Sequence, residues 1–218
     1  MKSIRRWGTT IISVVAMLLL WDTIVLYPFR ILVVLFHELG HAIATVLTGG
    51  KVVGMGLQLN EGGHTLSQGG SRFIILNAGY LGSLLTGLVL LRLVRGGSEG
   101  KRAATVLGAI AILTAALWIR PIVSFGFIYT IAAGALFMWL GRSGGGLATS
   151  VVRGIGIFSV VYAIIDIRDD LLRCSGCGVS DADMLSSEYG MPSLFWGVLW
   201  LGIGVTLMWR VRDSLLPR

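Results

Sequence analysis

The chain has 218 residues, of which 55% are hydrophobic and 13% are charged, and its formal net charge is +7. A soluble domain is usually about 45–50% apolar and about 25% charged, so this composition excludes an ordinary soluble protein and indicates an integral membrane protein. The positive charge is typical of basic residues that flank membrane spans, and we therefore expect a lipid bilayer and no nucleic acid as a partner.

The first half of the chain begins with two predicted membrane spans. A basic start and an apolar run predict a span at 8–27, and because no small-residue cleavage site follows it, we interpret it as an uncleaved anchor that ends at Pro28. A second span is predicted at 29–48, where Gly49 and Gly50 stop it. This second span contains the sequence "FHELGH", which interrupts an otherwise apolar run.

The next segment, 49–71, is too polar and too rich in glycine to cross a bilayer. Between 51 and 59 apolar residues alternate with glycine and polar residues, which is the period of a strand, and "NEGG" is typical of a turn. We therefore predict a small β-hairpin at or dipping into the membrane surface. An exposed edge of its first strand could pair with an extended substrate, which makes Gly54 and Gly56 candidate substrate-binding residues; a plain connecting loop is the alternative.

Four further spans are predicted within 72–168, a polar segment at 169–191 and a last span at 193–210. The four spans are 72–94, 103–119, 121–140 and 149–168. We therefore expect a single domain, 1–218, with an all-α polytopic membrane fold of about six to seven transmembrane helices and the hairpin after the histidine-containing helix. The polar segment contains Cys174 and Cys177. A lone CxxC pair is a weak signal that could indicate a disulfide, a redox pair, half of a metal site or nothing, and we expect no catalytic role for it.

The spacing of "HELGH" predicts a metal site. His37 and His41 are four residues apart on a predicted helix and therefore project from one face. Two such imidazoles can bind one Zn²⁺, and Glu38 can act as a general base toward water at the metal. The alternative is that the three side chains only contact neighbouring helices, but polar groups in mid-span are costly in lipid and are usually functional.

Together, "FHELGHA" in a span, the glycine-rich hairpin and "AGYLG" resemble the site-2 protease family of intramembrane zinc metallopeptidases, and most closely its compact peptidase M50B-like branch. The segments "YAIIDIRDD" and "SDA" are also similar to that branch. The resemblance implies that His37 and His41 are metal ligands, that Glu38 is the base, and that each chain binds one Zn²⁺. It also implies a membrane-spanning protein as the substrate.

A catalytic zinc site usually has three protein ligands. The wider family supplies an aspartate from an "LDG"-type motif that this sequence lacks. Asp166 is our first candidate, because an unpaired carboxylate in the apolar run "VVYAIIDI" would be costly without a cation, although a salt bridge with Arg168 or with another helix is an alternative. Asp181 is the second candidate, and its alternative role is to cap a short helix together with Ser180.

Other polar residues have weaker predicted roles. His64 lies in the predicted turn and could touch metal or substrate, although a surface histidine is the commoner case. Asn77 lies within a span and could bind substrate backbone, or equally the next helix. Asp169 and Asp170 are expected to face solvent.

Three functions remain open at this point. The first is an intramembrane zinc metalloendopeptidase of a bacterial or organelle membrane that hydrolyses membrane-embedded proteins. The second is a metal-binding membrane adaptor or chaperone, and the intact Glu38 argues against it because a binding protein needs no base. The third is a cation transporter using "HELGH" and Asp166, against which the lack of an inverted repeat weighs.

Overall fold

The structure of the chain is a computed structural model that describes residues 14–15, 17–21, 23–94, 97–173 and 180–215. Within these ranges, six helices are long and apolar enough to cross a membrane. The predicted fold class of a multi-pass helical membrane protein with a small hairpin is therefore confirmed. The anchor predicted at 8–27 lies partly outside the described residues, and the pair Cys174 and Cys177 lies wholly outside them.

The described elements follow one another along the chain as helices interrupted by a single hairpin. In order they are α1 (Tyr27–Leu47), β1 (Lys51–Leu57), β2 (Gly63–Gln68), α2 (Arg72–Leu93), α3 (Gly97–Trp118), α4 (Phe125–Arg142), α5 (Gly145–Arg173), α6 (Asp181–Tyr189) and α7 (Ser193–Leu215).

Three helix ends differ from the sequence-based boundaries. Helix α3 begins at Gly97 rather than at 103, because the charged stretch before the apolar run forms its first turns, with Glu99 near the positive end of the helix dipole. Helix α4 begins after Ser124, whose side chain caps it by accepting a hydrogen bond from the Phe127 amide. Helix α5 continues to Arg173, so the predicted polar segment begins as the end of a helix.

Helix α1 lies at the centre of the molecule. Ile31 and Ala42 on this helix have no exposed surface. Its contact with α2 is unusually close, because a Cβ atom on Gly40 would lie 2.2 Å from the carbonyl oxygen of Ala78, and one on Gly82 would lie 3.0 Å from the Gly40 Cα. Small residues let two helices approach in this way in a membrane. Gly40 therefore serves the helix contact and does not make room beside the histidines.

The hairpin runs back along α1 instead of lying across its end. Its strands are antiparallel, with Lys51 opposite Gln68 at the open end. At the other end, the Tyr27 hydroxyl donates a hydrogen bond to the Leu59 carbonyl oxygen at 2.7 Å. The turn of the hairpin is therefore held at the first residues of α1, and the strands extend beside that helix within the predicted span.

The two edges of the hairpin differ in their surroundings. The outer edge of β1 is covered, because Met55 forms a parallel bridge with Ile119 and because a Cβ atom on Gly126 would lie 2.9 Å from the Leu57 amide nitrogen. Residues of β2 instead line a cavity. The expectation that the 51–59 strand offers a free edge is thus at odds with the structure, since α3 and α4 pack against that strand.

Candidate metal centre and active site

The two histidines of "HELGH" lie side by side on α1. The centroids of the His37 and His41 rings are 4.7 Å apart, and the ring planes are inclined by 74°. Gly79 of α2 faces both rings, since a Cβ atom there would lie 2.4 Å from His37 Nε2 and 2.6 Å from His41 Nε2. Only glycine at this position leaves both nitrogen atoms open to a ligand.

A carboxylate from the far end of the sequence completes this cluster. Asp181, the first residue of α6, has its Oδ2 atom 3.2 Å from Nε2 of His37 and 3.2 Å from Nε2 of His41. Its side chain does not cap the helix, because Ser180 accepts the hydrogen bond from the Asp183 amide. Asp181 is 7% exposed, so these contacts are largely shielded from solvent.

The Asp181 carboxyl is held in its ionised form. Burial by itself would raise its pKa, but the neighbouring imidazoles of His41 and His37 outweigh burial and hold the pKa of this carboxyl well below its usual range. Asp181 therefore offers an anionic oxygen to the same point at which the two imidazole nitrogens converge.

The hydrogen bonding of His41 shows that this cluster suits a cation. The Nδ1 atom of His41 lies 2.7 Å from the carbonyl oxygen of Ile75, which can only accept a hydrogen bond, so Nδ1 carries the proton. In a neutral His41 the Nε2 lone pair then points at Asp181 Oδ2, and these two hydrogen-bond acceptors lie only 3.2 Å apart. Such a contact requires a cation between the two atoms or a proton on one of them.

Zinc fits the donor set and its spacing. Two imidazole nitrogens and one carboxylate oxygen are common zinc ligands, with bonds of about 2.0–2.2 Å, and a tetrahedral arrangement then separates the ligand atoms by about 3.3 Å. The observed separations of 3.2 Å are close to this value. All three residues that would hold the ion line one cavity.

Glu38 lies beside the cluster and is held by the hairpin. The residue is 5% exposed, and the Thr65 hydroxyl on β2 donates a hydrogen bond to its Oε2 at 2.7 Å. On the other side, a Cβ atom on Gly63 would lie 2.4 Å from Glu38 Oε1. The first strand residues after the turn therefore shape the position of this carboxylate.

Aromatic side chains form a wall behind His37. The Tyr80 ring packs edge-on against His37 with ring centroids 4.7 Å apart, and the Trp200 ring of α7 packs behind Tyr80 at the same separation. Tyr80 and Trp200 are 3% and 1% exposed. This side of the cluster is therefore closed to water, whereas the cavity side is open.

The cavity in front of the cluster has a volume of about 840 Å³ and is lined by residues of α1, β2, α2, α5 and α6. This volume lies within the range of about 300–1,000 Å³ that is usual for ligand sites. The lining contains the two histidines, Glu38, Asp181 and successive residues of β2. A strand edge and a candidate metal centre therefore share one cavity.

The ranking of the two aspartates differs from the sequence-based expectation. Asp166 lines the cavity, but the group whose ligand atoms lie together comprises His37, His41 and Asp181. The reason is tertiary: α6 does not remain in a solvated segment but packs over the site through Ala182 and Leu185, which are 1% and 0% exposed. Asp181 is thereby carried to the histidines.

The other predicted substrate contacts do not meet at the cavity. Asn77 donates a hydrogen bond to the Phe73 carbonyl oxygen and accepts one from Trp200 Nε1, both at 2.8 Å, so it joins α2 to α7. Gly54 and Gly56 lie on β1, and Gly56 makes room for the ring of His64, whose Cε1 would lie 2.4 Å from a Cβ atom there.

The remaining polar residues behave as follows. His64 is exposed and lines the cavity, although it is not part of the candidate metal group. Asp169 accepts hydrogen bonds from Arg168 at the end of α5, which leaves Arg168 engaged away from Asp166. The side chain of Asp170 lies outside the described residues.

Three residues that shape the site had no assigned role in the sequence. Gly79 belongs to the segment "AGYLG" that carries part of the family resemblance, and this segment is the signal by which it could have been found. Thr65 and Gly63 have no local signal, because their contact with Glu38 depends on the way the hairpin folds back along α1.

Comparison with known proteins identifies the family of the chain. A family described as Peptidase M50B-like matches residues 10–211, which is most of the chain. Neither the curated proteins nor the solved structures provide a match. The membrane-spanning helices, the histidine pair on α1 and the extent of the family match lead to one conclusion: the chain belongs to the Peptidase M50B-like family of the site-2 protease type, a family of membrane metallopeptidases.

Proposed function

We propose that the protein is an intramembrane zinc metalloendopeptidase that hydrolyses peptide bonds of membrane-embedded proteins. His37, His41 and Asp181 would hold one Zn²⁺ per chain. The observation that supports this most directly is the convergence of two Nε2 atoms and one anionic oxygen, 3.2 Å apart, beside a buried glutamate.

A bound Zn²⁺ would supply Lewis acidity, polarising the scissile carbonyl and lowering the pKa of water toward neutrality. Glu38 then accepts the proton of the attacking water at its carboxylate and later delivers it to the nitrogen of the leaving amine. The aromatic wall of Tyr80 and Trp200 keeps bulk water away from the opposite side of His37.

The substrate is proposed to bind as an extended segment along β2. A helical substrate hides its carbonyl groups in internal hydrogen bonds, whereas a strand added to an existing edge exposes them to the site. The edge of β1 is covered at Met55, whereas β2 (Gly63–Gln68) is the strand whose residues line the cavity. The buried Glu38 favours this enzyme over a metal-binding adaptor, since an adaptor needs no base.

The test compares metal content and cleavage in two kinds of variant. His37→Ala and His41→Ala should lose the zinc that the unchanged protein carries at about one ion per chain, as expected when a ligand of a three-ligand site is removed. Glu38→Gln should keep its zinc while turnover of a membrane-embedded substrate falls by about a hundredfold or more, because a general base is lost. Full zinc in both histidine variants, or unchanged cleavage by Glu38→Gln, would contradict the proposal.

A further inference from the structure

Glu38 is held by a single hydroxyl group from a separate element of the fold. The Thr65 hydroxyl lies 2.7 Å from Glu38 Oε2 and 3.0 Å from the main-chain carbonyl oxygen of the same residue. The hydroxyl has one proton, so it donates to one of these oxygen atoms at a time or to both in a bifurcated hydrogen bond, and either way it links the side chain of Glu38 to its backbone. Such a bridge restricts the rotation of the side chain between them.

We infer that Thr65 is a positioning residue for Glu38, and that the hairpin is therefore a working part of the active site. This inference rests on the proposed function, in which Glu38 is the base. Thr65 itself touches neither the candidate metal ligands nor, in this view, the reacting atoms. Its effect is exerted through the orientation of the Glu38 carboxylate.

The position of Thr65 is itself firmly set. Thr65 pairs with Met55 in the hairpin register, and Met55 is 2% exposed and bridges to Ile119 on the other side. The β-branched side chain of threonine also has few accessible rotamers. The hydroxyl is therefore presented to Glu38 from a strand that is paired with the partly buried strand β1.

Gly63 limits the other side of the same carboxylate. A Cβ atom on Gly63 would lie 2.4 Å from Glu38 Oε1 and 2.8 Å from Glu38 Cγ. The carboxylate is thus bounded by the hydroxyl of Thr65 at one oxygen and by the backbone of Gly63 at the other. Two residues of the same strand, on the same side of the turn, define where the base can point.

This arrangement links substrate binding to the base. The strand that carries Thr65 and Gly63 is also the strand that lines the cavity. A peptide that adds to β2 would reach the strand that already holds Glu38. A base must lie within hydrogen-bond reach of the proton it removes, and small displacements of a catalytic group are costly.

The test uses three substitutions at position 65. Thr65→Val removes the hydroxyl but keeps the shape, Thr65→Ala provides a second removal, and Thr65→Ser keeps the hydroxyl. We expect Thr65→Val and Thr65→Ala to lower kcat by about tenfold to a hundredfold, because each loses one hydrogen bond to a charged group. KM and zinc content should stay unchanged. Ser should restore most of the kcat. Thr206→Val, which removes an exposed hydroxyl bonded within α7, serves as the matched control.

The outcomes separate this inference from the proposed function. If Glu38→Gln stops cleavage but Thr65→Val and Thr65→Ala retain full kcat, the positioning role is wrong and the enzyme proposal stands. If Thr65→Ser loses as much kcat as Thr65→Val, or if the loss accompanies a fall in zinc content, Thr65 acts only through the fold and the inference is overturned. If Glu38→Gln itself cleaves normally, the proposed function fails first.

Discussion

The roles of Asp166 and Asp181 depend on different physical properties. Asp166 stands out in the sequence because a carboxylate in an apolar run is costly in a membrane. Asp181 does not stand out, because it lies in a polar stretch and follows a serine that can cap a helix. Which carboxylate reaches His37 is decided by the packing of α6, and this cannot be obtained from the local sequence.

The two aspartates make opposite predictions for zinc binding. Asp181→Asn should lose most of its zinc, because a neutral amide is a poorer ligand than the carboxylate that lies 3.2 Å from both Nε2 atoms. The fold should persist, since Ser180 provides the cap of α6. Asp166→Asn should retain zinc. Metal analysis of both variants at matched expression decides between them, and loss from Asp166→Asn alone would restore the sequence-based ranking.

Gly79 gives a second prediction at the level of single residues. Gly79→Ala should reduce zinc content, because the new methyl group would lie 2.4 Å and 2.6 Å from the two Nε2 atoms. Gly202→Ala in α7 is the matched control, since a Cβ atom there meets nothing within 4 Å. Metal analysis of the two purified variants provides the measurement. Equal zinc in both would show that the histidines can move away from α2 without loss of the site.

The hairpin shows how far an element can be predicted from its residue pattern. Alternation of apolar and small residues between 51 and 59, followed by "NEGG", correctly indicated two strands and a turn. The pattern contains no information about which edge is covered, because Ile119 and Gly126 reach β1 from distant parts of the chain. For the same reason, the contact between Thr65 and Glu38 could not be foreseen.

An ion pair at the turn should control the stability of the hairpin. Arg30 Nη2 lies 2.7 Å from Glu61 Oε1, and the two side chains are only 11% and 28% exposed. Removing one charge leaves the other poorly compensated, so Glu61→Gln should open the turn locally. We expect faster hydrogen exchange at 58–62 and faster proteolysis there than in Glu99→Gln, an exposed control on α3. Equal exchange rates in the two variants would mean that the ion pair does not stabilise the turn.

At the scale of the whole molecule, composition was the most informative property of the sequence. A chain that is 55% hydrophobic and 13% charged could be assigned to the membrane without any motif, and six described helices have the required length and apolar character. The helix ends were harder to predict. Charged residues such as Glu99 and Lys101 are typical of a loop between spans. They instead form the first turns of α3, because a helix can continue beyond the apolar core of a bilayer.

The order of the spans predicts on which side of the membrane each connection lies. If α3, α4 and α5 each cross the bilayer, the connection at 119–124 and the connection at 143–144 lie on opposite sides. Basic residues do not identify the cytoplasmic side, because Lys51, Arg72, Arg120 and Arg168 lie near the first side and Arg92, Lys101, Arg102 and Arg142 near the second.

Labelling of single cysteines can test this arrangement. In a background with Cys174→Ser and Cys177→Ser, Val123→Cys and Gly144→Cys place a thiol at exposed positions on the two connections. A charged maleimide that does not cross the bilayer should label only one of the two thiols from outside intact cells, and the other only after the membrane is opened, since they lie at opposite ends of α4. Labelling of both from the same side would show that α4 does not span the membrane.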